Sequence, residues 1–120
     1  MNKTELIKRI EDFCVRVIYM VEHLPETKSA RIISGQILRS STSIGANYRA
    51  ACRSKSARDF INKLKIVEEE TDETIYWLNL IESSGMFKAS LIEPLRKETE
   101  ELLSIFVASI KTARANLGKT

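Results

Sequence analysis

Apolar residues return every three or four positions along almost the whole chain, which is the spacing of a helix with one buried face. Leu6, Ile10, Phe13, Val17 and Val21 make a first stripe, widened by Ile7, Cys14 and Ile18, and Asn2 with Glu5 three residues later forms an N-cap pair ahead of it. A helix is predicted from there to about Glu22. His23, Leu24, Pro25, Glu26 and Thr27 break it, because proline is awkward inside a helix and suits a first turn. Ala30, Ile33, Ile37, Ile44, Tyr48 and Ala51 share one side of a second helix. Ser56 with Asp59 three residues on fits a capping box for a third, whose seam is Phe60, Leu64, Val67, Thr71, Leu78 and Ile81 and whose stop is Ser83, Ser84 and Gly85. Ser90 and Glu93 make another capping-box match, with Pro94 just within the first turn of a fourth helix that carries Leu95, Leu102, Phe106, Ser109 and Ala113 as far as Gly118.

Four helices of roughly 20 to 28 residues, each about 30 to 40 Å long and joined by short connections, predict an all-α, antiparallel up-down-up-down four-helix bundle. Residues 1–120 then form a single domain, with no repeat, linker or low-complexity tract. The second helix contains Gly35, Gly45 and the run Ser40, Ser41, Thr42 and Ser43, each of which weakens an isolated helix by several tenths to about 1 kcal/mol. Its neighbours must hold it, and the small side chains predict a tightly packed contact surface.

Composition agrees with helix throughout: four Gly and two Pro in 120 residues, and 43% hydrophobic residues. The start of the chain is charged and amphipathic rather than signal-peptide-like, and no apolar run reaches membrane-spanning length, so a cytoplasmic location is expected. Cys14 and Cys52 lack any close pairing motif and are expected to be thiols that pack as small apolar groups.

Charge changes the picture more. The formal net charge of +3 hides two opposed segments. Between Lys28 and Lys65 nine Lys or Arg face Asp59 alone, a net of +8, whereas between Ile66 and Phe106 ten acids face three bases, a net of −7. Lys28, Arg31, Arg39, Arg49 and Arg53 project opposite the apolar stripe of the second helix, and Lys55, Arg58 and Lys65 point away from the seam of the third. Two readings stand side by side: a solvated face of the ordinary kind, or a phosphate-binding surface for RNA or DNA built from Arg39, Arg49, Arg53, Lys55, Arg58 and Lys65. Ile66, Trp77 and Leu80 fall together outside the third seam, where a monomer would expose them, and are the candidate oligomer interface.

No catalytic constellation is visible. The sequence holds no phosphate-binding glycine loop, dinucleotide fingerprint, zinc spacing or nucleophile elbow, and His23 reads as a surface or helix-end residue. Glu68, Glu69, Glu70, Asp72 and Glu73 lack the Glu-x-x-His repeats of bundle metal sites and read as charged surface. No enzyme activity, cofactor or metal is expected.

The segment Leu38 to Ala50, reading Leu-Arg-Ser-Ser-Thr-Ser-Ile-Gly-Ala-Asn-Tyr-Arg-Ala, followed by Lys55-Ser56, by Asp59 to Leu64 and by Glu73 to Leu78, resembles the bacterial four-helix bundle family of 23S rRNA-intervening sequence proteins. Some members of it are encoded within intervening sequences of large-subunit ribosomal RNA genes. More distantly the chain is similar to the accessory variability determinant proteins of diversity-generating retroelements, which work with a reverse transcriptase and RNA. The resemblance covers essentially the whole chain and implies an antiparallel bundle assembled as a homopentamer, with no established catalytic residues to carry over. It makes a non-enzymatic oligomer associated with RNA or DNA the first expectation. The competing one is a protein-interaction scaffold in which the basic and acidic faces serve contacts between subunits.

Overall fold

A computed structural model describes residues 1–118. Four helices follow one another, α1 Lys3–Val21, α2 Lys28–Cys52, α3 Ala57–Ser83 and α4 Ala89–Leu117, and no strand is present among the described residues. Three N-termini are capped by side chains. The Asn2 side chain accepts the Glu5 amide at 2.8 Å and donates to the Glu5 carboxylate at 3.1 Å, so both partners of the predicted pair are used. The Ser56 hydroxyl accepts the Asp59 amide at 3.1 Å, and Thr27, not anticipated as a cap, accepts the Ala30 amide at 3.2 Å.

The fourth start departs from expectation. The predicted capping box at Ser90 and Glu93 does not form: α4 begins at Ala89 with Lys88 in the cap position and no side-chain cap bond. Ile92 is fully buried, and its amide already donates to the Lys88 carbonyl at 3.1 Å, so the helix must be running before Ser90 to bury it. Pro94 consequently lies inside α4 rather than in its first turn. It lacks the amide that would reach the Ser90 carbonyl, and because both residues are exposed, water can serve that oxygen. At the end of α3 the stop is as predicted. Gly85 takes φ +75°, Met86 donates back to Ile81 at 3.1 Å and Gly85 to Glu82 at 3.0 Å, the paired bonds by which a left-handed residue closes a helix.

The helices neighbour one another in chain order. The α2–α3 contact is the most extensive, α3–α4 and α1–α2 follow, and α1–α4 is slight. Leu6 and Ala113 line one cleft at one end, and Met20 and Leu95 line another at the opposite end, so α1 and α4 run antiparallel. The result is a rod of 53 × 21 × 21 Å.

Its core is the row Leu6, Ile10, Phe13, Val17 and Met20 of α1 against Ile37, Ile44 and Tyr48 of α2, Leu64, Val67, Leu78 and Ile81 of α3, and Ile92, Leu102, Phe106 and Ile110 of α4. Within the predicted stripes several residues move outward: Ile33, Phe60, Ser109 and Ala113 are half-buried, and Ile18 is exposed. Ser40, Ser41, Thr71, Thr74 and Thr99 are buried, and each hydroxyl donates to a carbonyl one turn back in its own helix. Ser40 and Thr74 also bond each other at 2.9 Å across the α2–α3 seam, which meets the requirement that buried polar atoms be paired.

The small-residue run of α2 therefore splits. Ser40 and Ser41 pack inward, and Gly45 is where α1 comes close, since a Cβ there would lie 3.4 Å from Ile10 Cγ2. Thr42 and Ala46 are exposed, and Gly35 faces open space.

Candidate nucleic-acid interface

The α2–α3 corner carries most of the predicted basic residues. Arg49 lies in the last turn of α2, Arg53 caps that helix, Lys55 is in the connection, Arg58 is in the first turn of α3, and Lys65 follows further along it. All five are exposed, and none forms an ion pair among the described residues. The one carboxylate of this segment, Asp59, is engaged by Lys63 at 2.8 Å, and that hydrogen bond holds its carboxyl below the usual range. Positive charge at the corner is thus left without internal compensation.

Arg39 behaves differently. Its guanidinium reaches Glu70 at 3.0 Å and also bonds Glu73, so it bridges α2 to α3 inside one chain. Glu73 accepts in addition from the Trp77 indole at 2.9 Å. Arg39, still exposed, belongs to a helix-to-helix clamp and differs in this from the five unpaired cations of the corner. The carboxylates that neutralise it come from its own α3.

The structure brings further cations to the same end of the rod. Met1, Lys3, Tyr48, Phe60 and Asn116 line one cleft, so the start of α1, the end of α2, the start of α3 and the end of α4 meet there. Lys3 Nζ stands 5.7 Å from the centroid of the Phe60 ring. Lys111 and Arg114 lie in the last turns of α4. A signal for them was present in the sequence, since Glu101 is the last acid of the chain. Reading charge along the chain hid it, because residues far apart in sequence share this end.

The candidate oligomer face is only partly confirmed as exposed. Ile66 is 44% accessible, as predicted. Trp77 is not free: it is half-buried, packed against the core and tied to Glu73. Leu80 is half-buried. The reason is the breadth of the α2–α3 seam, which shelters an edge of α3 that a narrow seam would leave in solvent. Tyr76, exposed and edge-on to Trp77 with centroids 4.9 Å apart, is the aromatic that this surface presents.

Elsewhere the polar groups serve structure. Arg9 donates to both Glu98 oxygens, at 2.8 and 2.6 Å, and to Glu101 at 2.8 Å across the α1–α4 seam, and the Arg9 bond holds the Glu98 carboxyl below its ordinary value. Arg96 links Asn79, Glu82 and Glu93 between α3 and α4. The half-buried Cys14 thiol donates to the Ser41 carbonyl at 3.2 Å, and burial first, then the charge of Glu11, pushes its pKa up to about 11. Cys52 is also a free thiol. The ring of His23 meets the Tyr19 carbonyl at the end of α1. Among the described residues no three His, Cys, Asp or Glu are grouped to hold a metal ion, and no helix is long and apolar enough to cross a membrane.

Residues 2–108 match the family model of the 23S rRNA-intervening sequence proteins. The chain belongs to that family. The match takes in α1, α2, α3 and most of α4, so the corner cations and Lys3 fall within the family's extent, while Lys111 and Arg114 lie beyond it. A crystal structure of a protein of unknown function from the S23 ribosomal protein family, from Bacteroides thetaiotaomicron VPI-5482, is similar at 34% identity and a TM-score of 0.85, over 92% of this chain and 99% of that one. No curated protein matches the chain.

Proposed function

We propose that this family member is a non-enzymatic, homo-oligomeric protein of the cytoplasm that binds the phosphate backbone of RNA or DNA through Arg49, Arg53, Lys55, Arg58 and Lys65. The observation that carries the reading is local. Among the described residues these five cations are exposed and unpaired, while Arg39, the sixth of the predicted set, is paired with Glu70 and Glu73. Cations held by their own carboxylates contribute little to a phosphate site, whereas unpaired ones release counterions when phosphates arrive. Assembly as a pentamer, implied by the resemblance to the family, would repeat the corner five times and multiply weak contacts by effective concentration.

The test is the salt dependence of binding to single-stranded RNA and to duplex DNA. Affinity should be largely independent of sequence, with a log–log slope of about −0.7 to −0.9 per phosphate neutralised. Arg49→Gln, Arg53→Gln and Arg58→Gln combined should flatten that slope and leave the helix content unchanged, and Arg39→Gln should leave the slope alone. Binding that ignores salt, or a triple variant with the parental slope, sinks the proposal. The scaffold reading is favoured by a separate observation: Glu69, Asp72, Ile66 and Tyr76 are all exposed on α3. It would be supported by a triple variant that changes assembly and has no nucleic-acid affinity to lose.

A further inference from the structure

The basic end of the rod is not only charged. Between the start of α1 and the end of α4 lies an open cleft of about 570 Å3, within the roughly 300–1,000 Å3 of typical small-ligand sites. Its walls are mostly apolar, with Leu6, Tyr48, Phe60 and Ile105 among them, and Ser109, Thr112 and Asn116 supply hydroxyl and amide groups. Tyr48 is buried against Phe106, with centroids 5.8 Å apart, whereas Phe60 is half-buried and has the Lys3 ammonium over its ring, 5.7 Å from the centroid. An aromatic surface with a cation next to it, polar groups within the same recess and unpaired arginines around the adjoining corner is a chemically specific combination.

The charges say what kind of occupant fits. Of the carboxylates in the neighbouring first turns, Asp59 is paired with Lys63, whereas Glu5 accepts from the neutral Asn2 amide and keeps its charge, so cations outnumber free carboxylates at this end. Among the described residues Arg53, Lys55 and Arg58 make no ion pair, and α4 has no acidic side chain after Glu101. The recess therefore suits a flat apolar group attached to an anionic chain. A base in a duplex cannot meet that description, since its faces are covered by its neighbours; an unstacked base of a single strand can.

We infer that the cleft receives a base of single-stranded nucleic acid, which takes the place of the exposed Lys3 ammonium over the Phe60 ring while Lys3 and the α2–α3 corner hold the adjoining phosphates. This rests on the phosphate-binding reading above and adds a preference to it. Phosphate contacts alone are indifferent to the base, so the preference for single strands comes from the cleft.

The experiment compares oligothymidylate with a strand of equal length in which several thymines are replaced by abasic residues, so that every phosphate is kept. The wild-type chain should bind the intact strand about tenfold or more tighter, the order expected for one base stacked on an aromatic side chain. Ser109→Trp fills the cleft from α4 and should bring the intact strand down to the affinity of the abasic one. Thr112→Tyr, at an exposed position of the same wall, is the second filling variant, and circular dichroism melts establish that each is folded. The Arg49, Arg53 and Arg58 triple variant should weaken both strands alike. Equal wild-type affinity for the intact and abasic strands overturns the cleft assignment and leaves the phosphate reading standing. Filled variants that keep the preference for bases overturn it too. Absence of binding to either strand overturns both readings together.

Discussion

The Glu98 carboxylate accepts two hydrogen bonds from Arg9 where α1 meets α4, the least extensive helix contact of the bundle. Because the folded state holds Glu98 below its ordinary pKa, the pair contributes stability that is fully present above the unfolded value of about 4.3 and is lost as pH falls through the folded one. Glu98→Gln should cost about 1 to 2 kcal/mol at neutral pH and show a shallower loss of stability below about pH 4. Urea melts at pH 7 and pH 3 check this, and an unaltered acid limb would place the acid sensitivity elsewhere. Arg39 shows how far single residues could be read in advance. Its position opposite the apolar stripe was legible, and its long side chain still reached Glu70 and Glu73 on α3. A helical projection gives the direction of a Cβ, whereas an arginine acts several ångströms further on.

Among the elements, the four helices were legible because each has a clear 3.6-residue stripe and definite stops at Pro25 and Gly85. The start of α4 was not, because Ser90 and Glu93 match the local rule for a cap while burial of Ile92 requires an earlier start. Tertiary packing overrode a plausible local signal. The same contest decides Gly45. The small-residue run predicted a tightly packed contact surface, and at Gly45 α1 is indeed near, but a Cβ there would meet Ile10 at 3.4 Å, ordinary van der Waals contact, beside a groove lined by Ile7 and Cys14. Gly45→Ala should therefore stabilise the protein by about 0.5 to 1 kcal/mol through helix propensity. A thermal melt that moved downward instead would show that Ile10 cannot yield.

At the scale of the whole molecule, the candidate site was legible as a charge imbalance and illegible as a place. The +8 segment pointed to the corner, but Lys3 and the end of α4 join it only because four helix termini converge. The proposed assembly belongs to this scale. Light scattering at micromolar concentration should give a mass near that of five chains, and Ile66→Glu should lower it while the helices melt as before, since Ile66 is exposed in the single chain. A monomer mass for the parent would end the pentamer reading. Trp77→Glu is the poorer probe, because a charge at a half-buried position of the α2–α3 seam would disturb the fold itself.

The narrow cross-section has a last consequence. Helices packed about 8–10 Å apart share a waist of 21 Å, and Phe13, Ile44, Leu64 and Phe106, one from each helix, are fully buried between them. Bundles that hold haem or a pair of metal ions give inward-facing positions to ligating side chains, whereas the buried positions named above are apolar or carry Ser and Thr hydroxyls bonded within their own helices. Recognition is then expected on a flank or at a tip. Change confined to outward-facing positions could therefore redirect its partners without reopening the question of how it folds.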